Sequence, residues 1–208
     1  CGLALLDISM EDHTKLLGLL SNIENRNCYI CNQLDLDALW NFFFEPGFIY
    51  PQKYSFLQTN KKKIKETYDR LYNHSSTIAR HFTYQEGTRI LGHISMVRFY
   101  NDTWLIHHHA GNTAVSSRAG LEVLKQIGHF TYECHRFQCI HMNYLICYYR
   151  ENNKFPNRVF GRITRNIGDR LGSSIDSFAY CHYNREGATR LALPEAWTLE
   201  ESCIDDLK

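Results

Sequence analysis

At 208 residues the chain can bury a sizeable core and fits one large domain, but it is short for two full ones. With 44% hydrophobic and 22% charged residues it is neither disordered nor fibrous, and 23 basic against 22 acidic residues remove the positive footprint that non-specific nucleic-acid binding needs. The longest apolar runs, residues 3–6 and 40–44, fall far short of the roughly 20 residues that cross a bilayer.

The chain opens CGLALLD without a Met, as expected of a mature form or a piece of a longer protein. Its eight cysteines are compatible with disulfides, but a core of this size needs no staples, so reduced, buried thiols in a cytoplasmic protein are expected.

In chain order, residues 3–8 form an apolar run expected as a first strand. A 3.6-residue period follows, with Ser9 as N-cap, Asp12 three positions on, and Leu16, Leu17, Leu19, Leu20 and Ile23 as the apolar face. Residues 34–44 repeat this pattern behind Asp35 or Asp37, and Pro46-Gly47 ends it. Residues 61–72 place Ile64, Tyr68, Leu71 and Tyr72 at helical spacing. The lysines Lys61, Lys62, Lys63 and Lys65 read most simply as a solvated face, with an anion site as the alternative.

After Ser75 the pattern turns β-rich. Residues 78–84, 89–100 and 104–109 read as three meander strands, separated by Gln85-Glu86-Gly87-Thr88 and Asn101-Asp102. Residues 121–137 then read as a helix, 140–149 (IHMNYLICYY) as a strand buried on both faces, 153–167 as a helix and 174–183 as a last strand. Residues 1–185 are expected to form one domain and 186–208 a peripheral tail. This order implies an α/β (α+β) fold with a mixed, mostly antiparallel central sheet flanked by helices.

The order of elements, together with the segment TWLIHHHAGNTAVSSRAGLEVLKQ, resembles the GNAT superfamily of acyl-coenzyme A dependent N-acyltransferases. The resemblance implies that acetyl-coenzyme A or another acyl-coenzyme A lies where the fourth strand parts from the fifth, its pyrophosphate on amides of the loop opening the next helix. The residues it assigns to the cofactor are His109, Ala110, Gly111, Ser116, Ser117, Arg118, Ala119 and Gly120, with Asn153 after the fifth strand. The physical requirement is free N–H groups at a helix N-terminus and side chains small enough for close approach. Gly120 matches the family pattern, Val115 and Arg118 replace its leading polar residue and its middle glycine, and Arg118 can pair with a phosphate directly. The plainer alternative is a helix capped by Ser116 or Ser117 that binds nothing.

Strand alternation would point His107 and His109 one way and His108 the other, so His107 or His109 is the expected base for an attacking amine, with His93 and Glu86 on the neighbouring strand. Amides near His109–Gly111 would hold the oxyanion. Phe160 stands where many members place a general-acid tyrosine, so Tyr148 and Tyr180 are the expected proton donors, with Tyr149 and Tyr183 nearby. Zinc is the lesser option: Cys28-Tyr-Ile-Cys31 has the spacing of half a site, but no second half converges in sequence, and no metal is expected. The acceptor is expected to be a small-molecule or protein amine, with neither nucleic acid nor membrane as partner and a homodimer left open. The alternative function is a GNAT-like module without catalysis, sensing a ligand within a longer protein.

Overall fold

Ser9 starts the first helix as its sequence suggests: its hydroxyl oxygen accepts from the Asp12 N–H, and α1 runs Met10–Glu24. The computed structural model describes residues 8–31, 34–74, 77–134, 137, 140–179, 195 and 198. The strand expected at 3–8 lies outside them except for Ile8, which precedes α1 without strand pairing. By its internal packing the chain divides into two units, Cys1–Arg150 and Glu151–Lys208.

Among the described residues the first strand follows α1: β1 is Cys28–Cys31, a segment too short to stand out by pattern. α2 follows at Leu36–Phe44, where the Asp35 carboxylate accepts from the Asp37 and Ala38 N–H groups. Then come α3 (Tyr54–Thr59) and α4 (Lys61–Tyr68), which widens into a π-helical turn at Asp69–His74. The meander is β2 (Ala79–Glu86), β3 (Arg89–Tyr100) and β4 (Thr103–Gly111); Gly87, at φ +61°, takes the left-handed corner between β2 and β3. α5 is Ala119–Cys134 and β5 is Tyr144–Cys147.

The five strands lie in the order β1-β2-β3-β4-β5, antiparallel except for the parallel β4–β5 pair. Helices cover both faces. On one, Phe82, Ile94, Met96 and Trp104 meet Val123, Ile127 and Phe130 of α5, with Met10 and Leu17 of α1 packed against them. On the other, Leu39, Phe42 and Phe43 of α2 meet Ile90 and Ala110, with Tyr68 at the margin. Burying each large apolar side chain is worth about 1.5–3 kcal/mol, so these two layers hold the sheet.

The strand expected at 140–149 is corrected. The run 140–149 is not a strand buried on both faces: only Tyr144–Cys147 pairs, and Tyr144 is 65% exposed because β5 is an edge among the described residues. Cys28 and Cys31 are the two ends of β1, and burial pushes the Cys28 thiol up to about 11.

The second unit contains three consecutive helical pieces where one helix is expected: α6 (Lys154–Pro156), a π-helical turn at Asn157–Gly161, and α7 (Arg162–Ile167), closed by Gly168 at φ +67°. Residues 174–179 have no regular structure; the rest of the expected strand 174–183, Tyr180 and Tyr183 included, lies outside the described residues.

Candidate functional site

β4 pairs with β5 only from Thr103↔Tyr144 to Ile106↔Cys147. Beyond that register β4 continues for five residues, His107 to Gly111, while β5 gives way to Tyr148, Tyr149 and Arg150. The two strands therefore part at the three histidines, with Tyr148, 68% exposed, on the far side. Arg150 places its guanidinium 5.1 Å from the Tyr50 ring, bringing the exit of β5 to the loop after α2.

The histidines do not alternate as a regular strand would. The register on β3 passes from His93↔Ala110 to Ser95↔His107, so three steps on β4 face two on β3, a bulge. His108 absorbs it at φ +56°, a conformation uncommon for a side chain branching from Cβ into a ring. In consequence His107 and His108 project to the α2 and α4 face with their ring centroids 4.1 Å apart, whereas His109 turns toward α5. The expectation that His107 and His109 share a face is thereby corrected.

His107 and His108 meet two tyrosines that the sequence pattern marked only as helix-face residues. The Tyr72 hydroxyl lies 2.9 Å from His107 Nε2, the Tyr68 hydroxyl bonds His108 Nδ1, and the Tyr68 ring stacks on His108 at 9°. The π-helical turn after Tyr68 widens the helix where these side chains must converge. His93 donates from Nδ1 to the His108 carbonyl oxygen (3.2 Å), and its Nε2 is buried without a hydrogen-bond partner. Burial disfavours the imidazolium throughout: it pulls His107 down to about 4, His93 down to about 3 and His108 well below the ordinary range. It also raises the Tyr72 phenol to about 12, so the cluster is uncharged at neutral pH. Glu86 sits exposed at the β2–β3 turn opposite Arg89 and is not part of it.

On the other face, His109 Nε2 donates to the Gly120 carbonyl oxygen at 2.8 Å. Burial lowers its pKa and this bond opposes the shift. The start of α5 lies almost against the sheet: a Cβ on Gly92 would come within 2.6 Å of the Ala119 oxygen, and one on Gly111 within 2.9 Å of Gly120 Cα and N. Only glycine fits at either position.

Between β4 and α5 the chain turns on Asn112, whose carbonyl oxygen accepts from the Val115 and Ser116 N–H groups. Arg118, not Ser116 or Ser117, occupies the cap position, its carbonyl oxygen accepting from Leu121 and Glu122. Among the described residues no acceptor meets the N–H groups of Ser117, Arg118, Ala119 and Gly120, and Ser117 and Arg118 are exposed. These four amides head a helix of 16 residues with the Arg118 guanidinium beside them; those of Ser117 and Arg118 belong to exposed residues and that of Ala119 to a buried one. The structure thus brings His109, Ala110, Gly111 and the 116–120 segment together. Asn153 belongs to the second unit, at the head of α6 and without a side-chain capping bond.

Two lysines of α4 have partners: Lys65 pairs with Asp37 at 2.5 Å, and Lys61 lies 5.4 Å over the Trp40 ring. Among the described residues no group of three or more His, Cys, Asp or Glu side chains is placed to hold a metal ion, and no helix is long and apolar enough to cross a membrane.

No family model and no curated protein matches the sequence. Solved structures do match the fold. A crystal structure of a probable acetyltransferase aligns at 12% identity and a TM-score of 0.50, covering 76% of this chain and 99% of that one. A possible acetyltransferase from Clostridium difficile 630 aligns at 11% identity and a TM-score of 0.50, covering 76% and 96%. The chain has the GNAT fold, at a divergence that leaves chemistry to be argued from its own residues.

Proposed function

We propose that the chain is an acyl-coenzyme A dependent N-acyltransferase acting on an amine. The observation that carries this reading is the coincidence, at one point of the sheet, of the β4–β5 parting and the four free amides of 117–120. Those amides and Arg118 would hold the pyrophosphate, and the thioester would extend into the parting beside the bulged backbone at His109 and Ala110. The fit to coenzyme A rests on that donor set, not on the family's glycine pattern.

The histidines divide the work differently from the sequence expectation. His109 positions α5 through Gly120. His107, neutral and bonded to Tyr72, serves as the acceptor for the amine's proton directly or through a water, and Tyr148 at the mouth supplies a proton to the departing thiolate. Tyr180 keeps the same proposed role from the sequence alone.

A second reading, a GNAT-like module that binds an acyl-coenzyme A without turnover, is favoured by one observation: burial makes His107 a weak base and His109 is committed to a backbone carbonyl. One assay separates the two. The protein is incubated with acetyl-coenzyme A and a panel of small amines and lysine peptides, and the free thiol is followed. Amine-dependent thiol release supports the transferase; binding of acetyl-coenzyme A with no release across the panel supports the module.

A further inference from the structure

Asn112 is 5% exposed and uses its polar groups in three directions. Its N–H donates to the Leu91 carbonyl oxygen at 2.8 Å, tying the loop to β3. Its own carbonyl oxygen takes the Val115 and Ser116 N–H groups at 3.2 and 2.9 Å, folding the loop back on itself. Its side chain donates from Nδ2 to Glu45 Oε2 at 3.0 Å, and the same oxygen accepts from Arg89 Nη2 at 2.8 Å.

We infer that Asn112 is the positioning residue of the anion-binding loop, held in register by the Glu45 carboxylate at the end of α2, with Arg89 as the ion-pair partner of that carboxylate. The inference rests on the acyltransferase reading. The physical reason is that the amides of Ser117 to Gly120 point usefully only if the 112–116 turn is fixed. Asn112 is the residue of that turn anchored both to the sheet and to a helix on the opposite face. Glu45 also follows Phe44 at the end of the helix whose Phe43 packs edge-on against His93 and His108, so the loop and the histidine cluster share one support. Arg89 matters because an unpaired carboxylate there would work against a bound polyanion; the ion pair at 2.8 Å offsets it.

The test uses the full chain and isothermal titration with coenzyme A and with inorganic pyrophosphate. N112D places two carboxylates where one hydrogen bond was, and the double variant N112D/E45Q restores a donor facing an acceptor at unchanged net charge for the pair. N112D should weaken coenzyme A binding roughly tenfold or more, the scale of one buried hydrogen bond, and N112D/E45Q should recover to within about threefold of wild type. Thermal unfolding is recorded for each variant. If wild type does not bind coenzyme A, the acyltransferase reading fails. If wild type binds and N112D binds equally well, or if the double variant regains thermal stability but not affinity, the positioning role is overturned.

Discussion

His109 Nε2 and the Gly120 carbonyl oxygen, 2.8 Å apart, tie the end of β4 to the first turn of α5 across the loop that joins them. Replacing His109 by Ala removes a second donor from a carbonyl in the first turn of α5, a loss of about 0.5–1.5 kcal/mol, the net value of one hydrogen bond. H109A should lower the urea midpoint and weaken coenzyme A binding together, and H109Q, which retains a donor, should recover part of both. An unchanged midpoint in H109A would show that the bond is not a support.

The approach of α5 to the sheet gives a second prediction. G92A would drive a Cβ to 2.6 Å from the Ala119 oxygen and G111A one to 2.9 Å from the Gly120 backbone, so each should cost about 1–3 kcal/mol in chemical denaturation. Gly128 on the same helix has nothing within 4 Å of such a Cβ. G128A should therefore stabilise by up to about 1 kcal/mol through helix propensity. Equal destabilisation by all three would contradict the packing described.

The buried histidines set a pH dependence. Burial holds His107 at about 4 and His93 at about 3, below the ordinary value of 6.5. As pH falls, the unfolded chain takes up these protons first, so their contribution is fully present above pH 6.5. It is lost progressively as pH drops through the window down to the folded values. The slope follows from the unfolded state binding more protons there. Urea midpoints should be steady above neutrality and fall steadily from about pH 6.5 to about pH 4. A midpoint that is flat over that range would remove the buried, neutral cluster from the account.

Tyr72 and His107 form a separate test. Y72F leaves His107 Nε2 without the hydroxyl 2.9 Å away inside a half-buried cluster, at about 1–3 kcal/mol. Because the ring and its packing against His81 remain, the loss should show in stability and in the His107 titration read by NMR, which should differ from wild type. Identical His107 titration curves in the two proteins would mean the pair is not formed.

Much of the fold was legible because its signals are local. The Ser9 and Asp35 caps, the Gly87 turn and the long periodic runs of α5 and the meander each announce themselves within a few residues. β1 was not, since four residues between two helices carry too little pattern, and β5 looked buried because its run is apolar while its place at the sheet edge is a matter of topology. At the site, the turn leading into α5 could be read from small residues before a helix. The bulge at His108 could not, because it depends on how β3 registers against β4, and it alone decides which histidines share a face. Tyr68, Tyr72, Glu45 and Asn112 join the site through contacts between 35 and 67 positions apart in sequence, which no local pattern encodes.

On the proposed function, the head of α5 binds the pyrophosphate of an acyl-coenzyme A. Thermal unfolding of the full chain with and without saturating acetyl-coenzyme A and longer acyl-coenzyme A tests it most directly, because a ligand that binds only the folded state must raise its stability. A clear upward shift is expected with at least one of them, reduced when Arg118 is replaced by Glu. No shift with any acyl-coenzyme A at saturating concentration would contradict it.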